Sequence, residues 1–157
     1  MSERADAAIA AVRAQADELE RVARSVTDAA WRLECPNERW PVGLVAFHIA
    51  RGFQRHAEFV ENARSGGPPH RFDWAETHAL NTTVAAAHPA PGRDEVLALA
   101  GTSVARIEQA LLAMPEEALD RVAWLYEGHE RDVVWIVGSL AVRHARGHLE
   151  SIAATIA

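Results

Sequence analysis

Leu140-Ala-Val-Arg-His144-Ala-Arg-Gly-His148-Leu-Glu-Ser151 carries two histidines four residues apart. On an α-helix that spacing stacks both imidazoles on one face, about 6 Å apart along the axis. Val133, Val137, Leu140, Ile152 and Thr155 fall on or beside the same face, so the pair points into a core. Two buried neutral imidazoles bring four ring nitrogens that need partners. Hydrogen bonds to other core groups are one solution. A metal ion held by both rings, with bonds of about 2.0–2.1 Å, is the other. The pattern makes this segment an amphipathic helix that starts near Asp132, a fair N-cap, and runs nearly to the C-terminus.

Three further long helices precede it. Ala5, Ile9, Val12, Ala16, Leu19, Ala23 and Val26 recur at threes and fours, which predicts a first helix over about 2–24 with Ser2 as N-cap. Thr27 to Trp31 reads as a short helical turn, and Cys35-Pro36-Asn37 as a breaker cluster flanked by Trp31 and Trp40. The second long helix opens at Pro41, where a missing N–H costs nothing, and stops at Gly66-Gly67-Pro68-Pro69. Val42, Val45, Ile49, Phe53, His56 and Val60 line its core face, and His48 sits on the flank of that face. Gly52, one turn from His48, leaves space beside the imidazole. A third helix spans about 92–113 with Val96, Ala100, Val104, Ile107 and Leu111 inward. Between the second and third lies a long connection holding a short helix that begins near Asp73 and ends before His88-Pro89. Residues 121–131 read as polar, aromatic and irregular, with a turn at Gly128.

The fold class that follows is all-α, a four-helix bundle forming a single domain over residues 1–157. The short first link suits antiparallel neighbours, while the long second link can cross the bundle and leave helices two and three parallel. Up-down-down-up is the expected topology.

Composition narrows the function. The formal net charge is −6, all 16 basic residues are arginine, and no basic stripe forms, which argues against nucleic acid as a partner. Cys35 is the only cysteine, so neither a disulfide framework nor a thiolate zinc cluster is expected. Its natural environment would be a buried apolar one rather than a nucleophile's. No secretory h-region and no membrane-length apolar run shows, so a cytoplasmic protein without a membrane partner is expected.

The bundle pattern, the segment Trp40-(x)7-His48-Ile-Ala and the H-x-x-x-H of His144 and His148 together resemble the DinB-like (DinB/YfiT-like) family of metalloenzymes. The resemblance covers essentially the whole chain. It implies a four-helix bundle, often a homodimer, holding a divalent metal with one histidine from the second helix and two from the fourth. Carried over residue by residue, these are His48, His144 and His148. Where the family often has Gly-Gln after the last histidine, this chain has Leu149-Glu150-Ser151. Characterised relatives include thiol-dependent S-transferases and isomerases, among them mycothiol-dependent maleylpyruvate isomerases, and some hydrolases. For the second-helix ligand, the helical wheel puts His56 nearer the centre of the apolar face. The resemblance and the space at Gly52 favour His48.

Three imidazoles leave coordination positions open, as catalytic sites do. An open position can activate water or hold a thiol as thiolate. Imidazole ligands suit zinc or nickel, and iron as well. Arg51 and Arg143, near the histidines in sequence, are candidates to hold a substrate carboxylate by a bidentate contact. His70, His78, His88 and His129 read as loop surface residues, and Trp74, Trp124 and Tyr126 as packing at a bundle end or walls of a pocket. The leading expectation is a metal-dependent enzyme that uses a low-molecular-weight thiol as co-substrate on a small-molecule electrophile. A metal-dependent hydrolase and a non-enzymatic metal- or ligand-binding bundle are the alternatives.

Overall fold

The computed structural model describes residues 2–157; Met1 lies outside the described residues. Helix α1, Glu3–Ser25, starts where the Ser2 hydroxyl accepts the Ala5 N–H at 3.3 Å. Acidic Glu3 and Asp6 sit in its first turn and Arg24 in its last, each matched to the helix dipole. Helix α2, Asp28–Trp31, is capped by Thr27. Strands β1, Glu34–Cys35, and β2, Trp40–Pro41, form a short antiparallel pair that delivers the chain to helix α3, Val42–Arg64. Helix α4, Trp74–Ala87, has Asp73 as its N-cap, and helix α5 is Arg93–Leu112. Asp132 caps the last helix by accepting the Trp135 N–H at 2.8 Å. That helix consists of α6, Val133–Trp135, a π segment, Ile136–Leu140, and α7, Ala141–Ile156.

The molecule is mostly helical, and its side-chain pairs fix how the long helices run. Arg4 pairs with Glu116 and Asp120, Arg13 with Glu108, and Arg93 with Asp28, so α1 and α5 are antiparallel. Phe47 lies on His88 while Glu61 bonds Arg106, so α3 and α5 run the same way. His48 meets His148 and Gly52 meets His144, so α3 and α7 are antiparallel. The core lies between these helices, where Leu19, Phe53, Ile49, Ile107, Leu111 and Ile152 are fully buried. None of the helices is long and apolar enough to cross a membrane, among the described residues.

Two expectations need correction. The mostly helical structure is consistent with the all-α class, but residues 122–132 form a β-hairpin rather than irregular chain. Strand β4, Val122–Tyr126, pairs antiparallel with β5, His129–Asp132, and parallel with β3, His70–Arg71. The turn is two residues long, with positive φ at both Glu127 (47°) and Gly128 (79°), the geometry that matches strand twist in tight hairpins. Its aromatic residues favour strand, but the run lacks the alternation that announces one.

The last helix is also not uniform. At Ile136–Leu140 it widens into a π turn, which shifts everything after it by about one residue relative to an unbroken α-helix. A single wheel drawn from Val133 to Thr155 therefore does not hold across it. Val133, Val137 and Ile152 are buried, whereas Leu140 and Thr155 are only half-buried. Within the π segment Gly138 packs on Ala8 of α1, a close small-residue contact.

Candidate metal centre

His48 stands in the second turn of α3, and His144 and His148 lie one turn apart on α7. The antiparallel packing of the two helices brings all three together. The Nε2 atoms of His48 and His144 are 3.0 Å apart. The three ring centres form a near-equilateral triangle, with separations of 4.8 Å (His48–His144), 4.7 Å (His48–His148) and 4.9 Å (His144–His148). One nitrogen from each ring lies within 4.8 Å of the other two. Adjacent ligands on an ion with bonds of about 2.0–2.1 Å stand roughly 3 Å apart, a spacing the His48–His144 pair already has, and the three together could hold a metal ion.

Burial favours the neutral form of His48 and His144. It pushes His48 down to about 4, with smaller contributions from His148 and Arg51. Burial likewise holds His144 well below the ordinary histidine value, reinforced by His48, His56 and His148. Neutral imidazole is the form that ligates metal, so His48 and His144 need lose no proton at neutral pH.

The three histidines line a cavity of about 1090 Å³. Its walls are aromatic, including Phe59, Phe72, Trp74, Trp124 and Tyr126, and it takes in the guanidinium-bearing side chains of Arg51, Arg55, Arg131 and Arg143.

The family model of the mycothiol maleylpyruvate isomerase N-terminal domain matches residues 12–148. The chain belongs to this family, which is a DinB-like one. No curated protein and no solved structure matches the chain. The matched span of this mycothiol maleylpyruvate isomerase N-terminal-type domain takes in all three histidines.

Gly52 serves this family member differently from the expectation. A Cβ there would lie 2.6 Å from both Cε1 and Nδ1 of His144. The missing side chain makes room for the His144 ring itself, not for a ligand. His56 is where the wheel places it, buried at 7% exposure, with its ring centre 5.9 Å from that of His144. Burial pushes it down to about 3, followed by the effect of Arg55, and its Nδ1 has no hydrogen-bond partner. It lies beside the converging group of three but is not one of them.

Arg51 and Arg143 both line the cavity. The Arg51 guanidinium donates to the neutral amide oxygen of Gln54, and that of Arg143 stands 5.6 Å from the Trp135 ring centre. Arg131 lies 5.4 Å from the same ring, so Trp135 carries two cations at the cavity wall. Of the four histidines expected at the surface, His78, His88 and His129 are exposed and His70 is half-buried. His78 belongs to α4 and stacks on Trp74, and His70 belongs to β3 and stacks on Phe59 at 4.3 Å. Together with His129 they line the cavity, while His88 packs on Phe47. Trp74, Trp124 and Tyr126 are cavity walls, with the Trp74 indole N–H donating to the Tyr126 hydroxyl at 2.9 Å. Cys35 is fully buried and burial raises its thiol, as befits an inert core residue.

Sequence reasoning missed Glu38. It sits in the β1–β2 turn, and its carboxylate reaches Ser151 and His148 of α7. An acid among breakers gives no sign of that placement. The only hint lay in Ser151, three residues after His148 on the same helical face.

Proposed function

We propose that this chain is a metal-dependent enzyme that uses a low-molecular-weight thiol to transform a small anionic electrophile, by S-transfer or isomerisation. The observation that carries the reading is the convergence of His48, His144 and His148 in the lining of an arginine-bearing aromatic cavity. Family membership supports the thiol, since the family's name joins mycothiol to an isomerase. The same reading takes the four long helices as an up-down-down-up bundle in one domain. It is supported by the antiparallel α1–α5 and α3–α7 pairs and the parallel α3–α5 pair. A cytoplasmic homodimer is the form in which we expect it to act.

In this reading His48, His144 and His148 hold the ion, zinc or nickel, with iron also compatible with imidazole ligands. When bound, such an ion supplies Lewis acidity that keeps a thiol deprotonated at neutral pH. The chain's own residues do the rest. Arg51 and Arg143 take the substrate's anionic group by charge-assisted hydrogen bonds and so fix its orientation. Phe59, Phe72, Trp74 and Trp124 pack on the apolar part of the substrate and exclude water, which strengthens the arginine contacts. Trp135 steadies Arg143 through its ring face.

The test is turnover by purified, zinc-loaded protein of an electrophile panel, with and without added thiol. Turnover that requires thiol supports the proposal. Thiol-independent ester or amide cleavage would assign the protein to the hydrolases, and absence of turnover in every condition would leave a binding protein.

A further inference from the structure

Glu38 is built into the centre by a strained turn. Arg39 beside it holds φ at 61°, in the left-handed region that an arginine seldom occupies, while its N–H donates to the Cys35 carbonyl at 2.8 Å. The result is a carboxylate whose side chain is only 9% exposed. Its Oε1 accepts the Ser151 hydroxyl at 2.6 Å. Its Oε2 is buried with no hydrogen-bond partner and stands 3.6 Å from Nδ1 of His148. That gap is longer than a hydrogen bond, and no other polar group satisfies this buried oxygen. A buried carboxylate left half-satisfied is costly, and such a group needs a compensating role.

We propose that Glu38 is a positioning residue of the metal centre, resting on the metal-dependent reading above. Its free oxygen takes the Nδ1–H of His148, which fixes the tautomer and leaves Nε2 as that ring's lone-pair donor. The carboxylate also makes the imidazole a stronger ligand. Ser151 anchors Glu38 from the helix that carries His148, so acid and imidazole stay in register.

The experiment measures zinc affinity of the full chain by competition with a chelator at neutral pH, alongside the melting temperature of the metal-free protein. Glu38→Gln keeps the shape and an acceptor oxygen but not the charge, and should weaken zinc binding about tenfold; Glu38→Ala should approach about a hundredfold. The metal-free Glu38→Gln protein should melt at or above the wild-type temperature, since it loses a buried charge whose Oε2 has no hydrogen-bond partner. A purely structural residue would instead lose stability and affinity together. Nitrogen-15 spectra of the zinc-loaded protein should show His148 protonated at Nδ1 in the wild type and a mixture in Glu38→Ala. Affinities within about twofold of wild type in both variants would overturn the proposal, since a group that orients a metal's ligand matters more than that. If either variant fails to fold, Ser151→Ala decides, because it leaves the turn intact and frees the carboxylate. It should lose severalfold in affinity, and unchanged affinity would overturn the proposal. A wild-type protein that binds no zinc would remove the metal-dependent reading itself, and Glu38's role with it.

Discussion

His48 Nε2 and His144 Nε2 face each other at 3.0 Å across the α3–α7 packing. As a bare hydrogen bond this needs opposite tautomers, one ring donating and the other accepting. As a ligand pair it needs both lone pairs aimed at one ion. The two states compete, so metal binding forces one ring to change tautomer. His48→Ala, His144→Ala and His148→Ala should each abolish tight zinc binding, read by chelator competition. Retention of wild-type affinity by any one would break the three-histidine assignment.

His56 separates the site from its surroundings. It is buried, its Nδ1 is unpartnered, and it stands next to His144. His56→Ala should retain zinc while losing on the order of 2 kcal/mol of stability, since the cavity cost is offset in part by removal of an unsatisfied nitrogen. Urea unfolding with parallel zinc titration checks both halves. A folded His56→Ala protein that cannot hold zinc, beside a His48→Ala protein that can, would reverse the assignment.

Gly52 and Gly147 form a matched pair. A Cβ at Gly52 would collide with the His144 ring at 2.6 Å, whereas one at Gly147 meets open space. Gly52→Ala should therefore cripple zinc binding although no ligand is changed. Gly147→Ala, between the two α7 histidines in sequence, should leave binding intact and stabilise the helix by about 0.5–1 kcal/mol. Equal zinc affinities in the two variants would show that His144 does not need its present position.

Much of this was legible beforehand. Ser2 and Asp132 announced helix starts by cap chemistry, and each accepts the N–H that such a cap should. His144 and His148 were readable as an inward pair because their spacing puts them on one face and apolar residues share that face. The β3–β4–β5 sheet was not, because β3 and β4 pair across a long sequence gap and no local rule predicts the partner. The π turn escaped as well, since nothing in the local sequence marks where Gly138 comes up against Ala8 on another helix. Glu38 escaped because only the folded turn brings it to His148.

Acid should weaken the metal-free fold. His48 and His56 titrate at about 4 and about 3 in the folded protein, against about 6.5 when unfolded. With the folded values depressed, the unfolded chain takes up protons first as pH falls. Stability is whole above about 6.5 and erodes below it, by up to about 1.4 kcal/mol per pH unit for each group, until the folded values are reached. His144, depressed chiefly by burial, acts in the same direction. Urea midpoints of chelator-treated protein should fall between pH 7.5 and pH 5. A flat profile would mean these imidazoles are not buried as neutral groups.

Core and site should be separable. Ile107 and Leu111 on α5 are fully buried and lie on a helix that carries none of the three histidines. Ile107→Ala and Leu111→Ala should each cost roughly 2–5 kcal/mol in urea unfolding. Zinc affinity of the folded fraction should be unchanged, and a parallel loss would show the site and α5 to be coupled.

The most direct test of the central claim is X-ray absorption at the zinc edge on zinc-loaded protein. The three-histidine account predicts about one zinc per chain, with a first shell of three imidazole nitrogens at about 2.0–2.1 Å and the remaining positions filled by light exchangeable donors. A shell with two imidazoles or fewer, or a chain that takes up no zinc, would contradict it.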